Sequence, residues 1–176
     1  AQGDDTKSEE ITTKYFYDDT SHLLPTRIIT KNSKGEAITT KNTYPLSYIT
    51  LTASDAITQG VLNLKNKHII NAPVEKYIQR VNSNGSNTRV TSGVITTYGT
   101  SSPLPTLAYT TETSSPITNF SALAISASGA TLDTRYKPQI YFDGYDSYGN
   151  IIQQHNTNDI SSAYIWDYNS SLPIAE

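Results

Sequence analysis

Histidines, carboxylates and aromatic rings are the side chains in this sequence that could do chemistry, so their spacing decides whether they can act together. His22, His68 and His155 are the only histidines. Each stands alone in its segment without a second His, Asp or Glu at metal-ligand spacing, and each reads as a structural or exposed residue. Asp143, Asp146 and Asn150 have the composition of a calcium loop, since a hard cation takes carboxylates and carbonyls from one tight turn. Their spacing lacks the alternating ligands of such a loop and Gly149 falls at the wrong offset, so Asp146 reads as a turn residue. Glu9–Glu10 and Asp18–Asp19 are adjacent acid pairs. Neighbours on an extended chain point to opposite faces, and neither pair converges on one bond as a general acid and base must. No Gly-x-Ser-x-Gly elbow, phosphate-cradling glycine loop or Walker-type lysine occurs, and Lys34-Gly35 reads as a hairpin turn. The chain has no Cys, which excludes disulfides, thiolate metal sites and a cysteine nucleophile. The residues therefore point to a protein that is not an enzyme, with no catalytic residue, metal or cofactor assigned.

The aromatic residues remain. Tyr141, Tyr145, Tyr148, Tyr164, Trp166 and Tyr168 crowd the last third of the chain, and a line of such rings on a sheet face can stack on sugars or anchor a protein contact. These six are the candidate binding surface. The same face is also what cross-strand aromatic pairs use to hold antiparallel strands together, at roughly 0.2 to 1 kcal/mol per pair. That structural reading is favoured, because the spacing has period 2 and coincides with hairpin turns.

The elements that would carry these rings are strands. The 176 residues hold 13 Tyr against 3 Phe and 1 Trp, with 16% charged residues. Tyr, Thr, Val and Ile favour strands, and Ser, Asn and Gly punctuate turns, so the composition predicts a mainly β fold. A net charge of −3 with scattered Lys and Arg gives no footprint for nucleic acid or an anionic membrane surface. No apolar run reaches the ~20 residues that span a bilayer. The sequence has no Met, which reads as a processed chain or a piece of a longer one.

In chain order, residues 1–10 read as a frayed polar terminus and 11–176 as one β-rich domain or a segment of a larger β-shell. Strands are predicted from Thr13 with Tyr15 and Tyr17 on one face, over Leu24 to Ile29, over Ala37 to Tyr44, and over Tyr48 to Thr52. Turns fall at Asp18 to Ser21 and Asn32 to Gly35. From Asp55 to His68 the period becomes helical, with Ser54 as N-cap and Asp55 as first-turn acid, interrupted by Gly60 at a cost of about 1 kcal/mol. Val74 to Val81 and Thr88 to Tyr98 form a hairpin through Asn82 to Ser86, with Val90, Val94 and Tyr98 on one face. A Ser/Thr/Pro-rich loop spans about 99–119, with at most one strand at Leu104 to Thr111. Short strands are predicted at Ala122 to Ile125 and about Leu132. Gln139 to Tyr145, Asn150 to Asn156 and Ala163 to Tyr168 close the chain, the last carrying Tyr164, Trp166 and Tyr168 on one face. Asp146 and Gly149 would close the turn between Tyr145 and Ile151, Gly at positive φ. The fold expected is antiparallel β-hairpins in a meander with one short helix.

Tyr15-Phe16-Tyr17-Asp18 and Tyr145-Asp146-Ser147-Tyr148-Gly149-Asn150 resemble the Tyr-Asp hairpin of Rhs/YD-repeat proteins. The run Ser162-Ala163-Tyr164-Ile165-Trp166-Asp167-Tyr168-Asn169 with Leu172-Pro173-Ile174-Ala175 is similar to a segment just upstream of the repeats in large Rhs-type surface proteins of Bacteroidota. The helix followed by His68-Ile69-Ile70-Asn71-Ala72-Pro73-Val74-Glu75 resembles the same region. Asp167 stands where that family usually has Gly, and the stretch from Gly99 to Asn119 lies outside the resemblance. The likeness implies a structural segment of a secreted or cell-surface β-shell that encloses a C-terminal toxin or presents an adhesive surface. Its partners would be other segments of the same large protein. Two alternatives are carried: an adhesion module using the Tyr and Trp residues for glycan or protein contact, and exported cargo associated with an outer-membrane secretion machine.

Overall fold

The structure is a computed structural model describing residues 11–175, so the terminus expected to fray over 1–10 lies outside the described residues. Strands β1 (Thr13–Phe16), β2 (Arg27–Lys31) and β3 (Ala37–Thr43) precede a 3₁₀ turn, Pro45–Ser47, and helix α1 (Ala56–Asn66). Next come β4 (Glu75–Val81), β5 (Arg89–Tyr98) and β6 (Pro105–Thr111), then the short β7 (Ala124–Ser126) and β8 (Gly129–Thr131). The chain closes with β9 (Tyr136–Tyr145), β10 (Ile151–Asn156), β11 (Ser162–Ala163), β12 (Ile165–Asp167) and β13 (Leu172–Ala175). Nine strands form one sheet in the order β1-β2-β3-β4-β5-β6-β9-β10-β11, and β7-β8 and β12-β13 are separate two-stranded ribbons. Every pairing is antiparallel. The fold is thus the mainly β, antiparallel meander with one helix that composition, turn residues and the change of period after Asp55 together predict. At ~4.8 Å between strands, the sheet is roughly 38 Å across.

One local device closes three of the hairpins. In Asn32 to Glu36, Asn82 to Ser86 and Asp146 to Asn150, the first residue's N–H donates to the fifth residue's carbonyl at 3.1, 3.0 and 2.9 Å. The fourth residue is glycine at φ +75, +79 and +90, the left-handed region that costs an L side chain roughly 1–2 kcal/mol. The Asp146 carboxylate accepts from the backbone of Tyr148 at 2.8 Å and Asn150 at 2.9 Å. Asn32 does the same for Lys34 and Glu36 at 3.0 and 2.9 Å. Asp and Asn are chosen here because a short side-chain acceptor reaches the turn's own N–H groups. The first two turns lie side by side: Arg89 donates to Glu36 at 2.9 Å and to Asn82 at 2.8 Å.

Twice the chain leaves the sheet and returns to it, between β3 and β4 and between β6 and β9, and both excursions cover the same face. The first carries α1, whose Thr58, Gly60, Val61 and Leu64 are buried. Asp55 caps it, accepting from Thr58 N–H at 3.0 Å and from its hydroxyl at 2.6 Å. A Cβ on Gly60 would sit 2.3 Å from the Tyr98 carbonyl oxygen, so glycine is what lets the helix reach β5. The second excursion lays Phe120, Leu123 and the β7–β8 ribbon beside it. Tyr48, Leu51, Val61, Val74, Ile95, Leu123 and Tyr136 make the core between sheet and cover. Burying each large apolar side chain there stabilises the fold by about 1.5–3 kcal/mol. The opposite face is more open, with Tyr15 57% and Val94 39% exposed.

Pairing register sets which side chains share the covered face. Phe16, Arg27, Lys41, Tyr77 and Gly93 are successive cross-strand partners from β1 to β5. Arg27 lies over the Phe16 ring at 4.4 Å and Lys41 over the Tyr77 ring at 5.7 Å. Toward β9 the row becomes core: a Cβ on Gly93 would meet the Tyr136 hydroxyl at 2.5 Å.

Four sequence expectations are corrected. Tyr48 to Thr52 is not a strand; Pro45 opens a 3₁₀ turn, and Tyr48 and Leu51 then turn inward to the core. Asp55, not Ser54, is the N-cap. Val90, Val94 and Tyr98 do not share a face, because a bulge between the Ile78 and Gln79 pairs shifts the phase, leaving Val90 buried and Val94 exposed. Ala163 to Tyr168 is not one strand: the chain breaks at Tyr164 and passes from the main sheet into the β12–β13 ribbon.

Candidate functional site

The six aromatic residues of the C-terminal third do not form one surface. Tyr141 and Tyr145 belong to β9 and are half-buried. Tyr141 stacks flat on His155 of β10, its direct cross-strand partner, at 4.6 Å and 0°. The Tyr145 hydroxyl donates to the Pro105 carbonyl at 2.8 Å, and burial raises its pKa. Both rings therefore serve sheet cohesion. Tyr148 sits on the β9–β10 turn, 73% exposed, and Tyr168 is 67% exposed at φ +52 in the β12–β13 turn. Neither shares an orientation fixed by strand alternation.

Tyr164 and Trp166 do come together. With Ile151, Gln154, Pro173 and Ala175 they line an open cleft of about 470 Å³ between β10 and the C-terminal ribbon. The Trp166 indole N–H donates to the Ile151 carbonyl at 2.7 Å, and Gln154 donates to the Tyr164 hydroxyl at 2.8 Å. Those bonds clip the ribbon to the sheet. The cleft is largely apolar, and among the described residues its lining includes no carboxylate or imidazole, which suits it to a ring or an apolar side chain.

Polar clusters elsewhere have the ingredients of catalysis in arrangements that do not deliver it. Asp19, buried His22 and Ser47 have the residue types of a hydrolase triad. In a working triad the serine and the carboxylate address different ring nitrogens. Here His22 Nε2 meets both Ser47 Oγ and Asp19 Oδ2 at 3.1 Å, while Nδ1 accepts the Leu24 N–H at 3.0 Å. Nδ1 is occupied as an acceptor, so Nε2 carries the proton and has no lone pair with which to deprotonate serine. The cluster holds the β1–β2 connection against the 3₁₀ turn. His155 Nδ1 lies 2.6 Å from Asp143, beside the Tyr141 stack. His68 lies just beyond the C-cap of α1, at φ +57. Among the described residues no three His, Asp or Glu side chains stand where they could share a metal ion.

Two buried acids escaped the sequence reading. Glu75 is 1% exposed in the core; its carboxylate accepts the Leu123 N–H at 3.0 Å and the Tyr136 hydroxyl at 2.9 Å. Burial outweighs these bonds and raises its pKa. Burial, with Glu75 beside it, likewise raises the Tyr136 phenol. Asp133 is pulled the other way: the Arg135 guanidinium at 2.6 Å, helped by the Ser121 and Arg135 N–H groups, holds its carboxyl below the usual range. Both acids pin the β6–β9 excursion. The signal was faint: Glu75 opens a strand after Pro73-Val74, where an acid normally faces water.

The arrangement defines a class: an antiparallel sheet with one helix-covered face, hydroxyl-rich, many of whose polar groups close turns, cap the helix or pin the excursions. Comparison of the chain with protein-family models, curated proteins and solved structures gives no match.

Proposed function

We propose that this chain is a structural wall: an antiparallel sheet segment of a larger exported β-shell of the Rhs/YD-repeat kind, and not a catalyst. The observation that supports this reading is the hairpin closure shared by Asn32–Glu36, Asn82–Ser86 and Asp146–Asn150, a first-to-fifth backbone bond with a left-handed glycine in the fourth position, to which Asn32 and Asp146 add a side-chain acceptor for the turn's own N–H groups. The last of these is the Tyr-Asp-x-x-Gly unit itself. In such a shell, β1 and β11 would abut neighbouring strands. The test is an antibody raised against this chain and used on fractionated source cells. Surface or secreted reactivity at a mass far above 19.3 kDa supports the wall; a band at that mass confined to the cytosol overturns it.

The cleft at Tyr164 and Trp166 favours a second reading, a module that binds a glycan or a protein through those rings. Glycan-array or pull-down signal that Trp166→Ala abolishes, with the β circular dichroism spectrum retained, supports the module over the wall.

A further inference from the structure

We propose that the recess between the β3–β4–β5 face and residues 117–122 is a binding site for an acidic sugar, a pyranose carrying a carboxylate. The recess has a volume of about 320 Å³ and is walled by Lys41, Tyr77, Gln79, Thr88, Thr118 and Phe120, a size within the range of small-molecule sites. Its floor is rigid. Val90 and Ile117 are 4% and 3% exposed and exchange both backbone hydrogen bonds at 2.7 Å, so the excursion is fastened to the sheet where the recess closes.

Three features of the lining select the ligand. Tyr77 and Phe120 meet at 4.9 Å and 50°, giving an aromatic corner of the kind on which the C–H face of a sugar ring packs. Gln79, Thr88 and Thr118 supply a carboxamide and two hydroxyls, which both donate and accept as sugar hydroxyls require. Lys41 supplies a cation. Its neighbour Arg27 is neutralised by Asp18 through bonds of 2.6 and 2.8 Å, whereas among the described residues no carboxylate lies within ion-pairing distance of Lys41. Its ammonium rests over Tyr77 at 5.7 Å instead. An apolar ligand would leave the cation and the hydroxyls unused. A bare inorganic anion would leave the rings unused, and a polyanion such as nucleic acid would meet one cation on a chain of net charge −3. A carboxylate draws the ammonium away from Tyr77 and the pyranose takes the ring face it vacates, so charge and stacking act together.

The site lies on the opposite arm of the sheet from the Trp166 cleft, with β6 and β9 between the strands that line the two, and does not depend on the wall reading. The test is a titration of the ¹⁵N-labelled protein with sodium glucuronate, followed by amide shifts, with glucose and sodium phosphate as controls. The expected result is saturable shifts at Tyr77, Val90, Thr118 and Phe120 with a dissociation constant on the order of 1 mM. Glucose should bind at least about tenfold more weakly, a loss expected when a charge-assisted contact goes unmade. Lys41→Gln should weaken glucuronate by a similar factor and Gln79→Ala by less, while Trp166→Ala leaves it unchanged. Thr88→Val, on the rim, serves in place of Lys41→Gln if that variant loses its dispersed spectrum. Absence of saturable shifts, equal binding of glucose, equal shifts with phosphate, or parental affinity in the folded Lys41→Gln protein would each overturn the proposal.

Discussion

Gly60→Ala puts the helix-to-sheet packing to a test in which the sign of the effect decides. At a solvent-facing helix position this change gains about 1 kcal/mol, because Ala loses less backbone entropy than Gly. Here the new methyl would stand 2.3 Å from the Tyr98 carbonyl oxygen and 3.1 Å from its carbon. A backbone carbonyl inside a sheet cannot rotate aside, so α1 must lift by roughly 1 Å to reach ordinary van der Waals contact. That movement loosens Val61 and Leu64, both at most 2% exposed, from the core, and overpacking of this kind costs about 1–3 kcal/mol or more. The net expectation is a loss of about 2 kcal/mol. For a chain of this length that lowers Tm by about 4–8 °C. Urea unfolding followed by Trp166 fluorescence and far-ultraviolet circular dichroism measures it, with exposed Asn66→Ala in the same helix as a control expected to gain a few tenths of a kcal/mol. A Gly60→Ala protein as stable as the parent, or more so, would refute the close approach of α1 to β5.

The buried acids predict opposite pH dependences. Glu75 has a raised folded pKa, so its contribution is present below its ordinary 4.5 and lost as pH rises through the folded value. The stability difference between the parent and Glu75→Gln should fall with rising pH above 4.5, by at most ~1.4 kcal/mol per pH unit, and a flat or rising difference contradicts it. Asp133 has a lowered pKa, so the parent's advantage over Asp133→Asn should be present above its ordinary 3.8 and shrink as pH falls, read by the same urea titrations. Gly85→Ala meets no atom within 4 Å but sits at φ +79, so it should cost about 1 kcal/mol of backbone strain alone. Gly35→Ala should cost more, since its Cβ also meets Ser83 Cβ at 3.2 Å, and equal losses would contradict the pairing of the two turns. Trp166→Phe removes the bond to Ile151 and should raise protease cleavage within β12–β13 while the main sheet's melting stays within about 2 °C.

Elements with strong local signals were legible. The turn at Asp146–Gly149 and the helix after Asp55 are written in residues that act within five positions, and both stand where the sequence puts them. Apart from the N-cap at Asp55 and the 3₁₀ turn at Pro45, what failed depended on partners distant in the chain. The phase of β5 turns on a bulge whose partner strand is β4, and alternation read from Val90, Val94 and Tyr98 cannot register an inserted residue. Gly60 reads as a defect until Tyr98 is brought against it. The aromatic residues were legible as a list but not in their partners: Tyr141 and Tyr145 meet His155 and Pro105, while Tyr164 and Trp166 line one cleft. Lys41, Tyr77 and Phe120, far apart in sequence and unremarkable singly, converge only because the excursion folds back over β4.

Both excursions leave one strand and return on its immediate neighbour, so the sheet order never departs from the order of the main strands along the chain. Such a ribbon can lengthen by accretion. A hairpin added or lost outside β3–β9 alters the span without unthreading the centre, so the width of the panel follows from the number of hairpins.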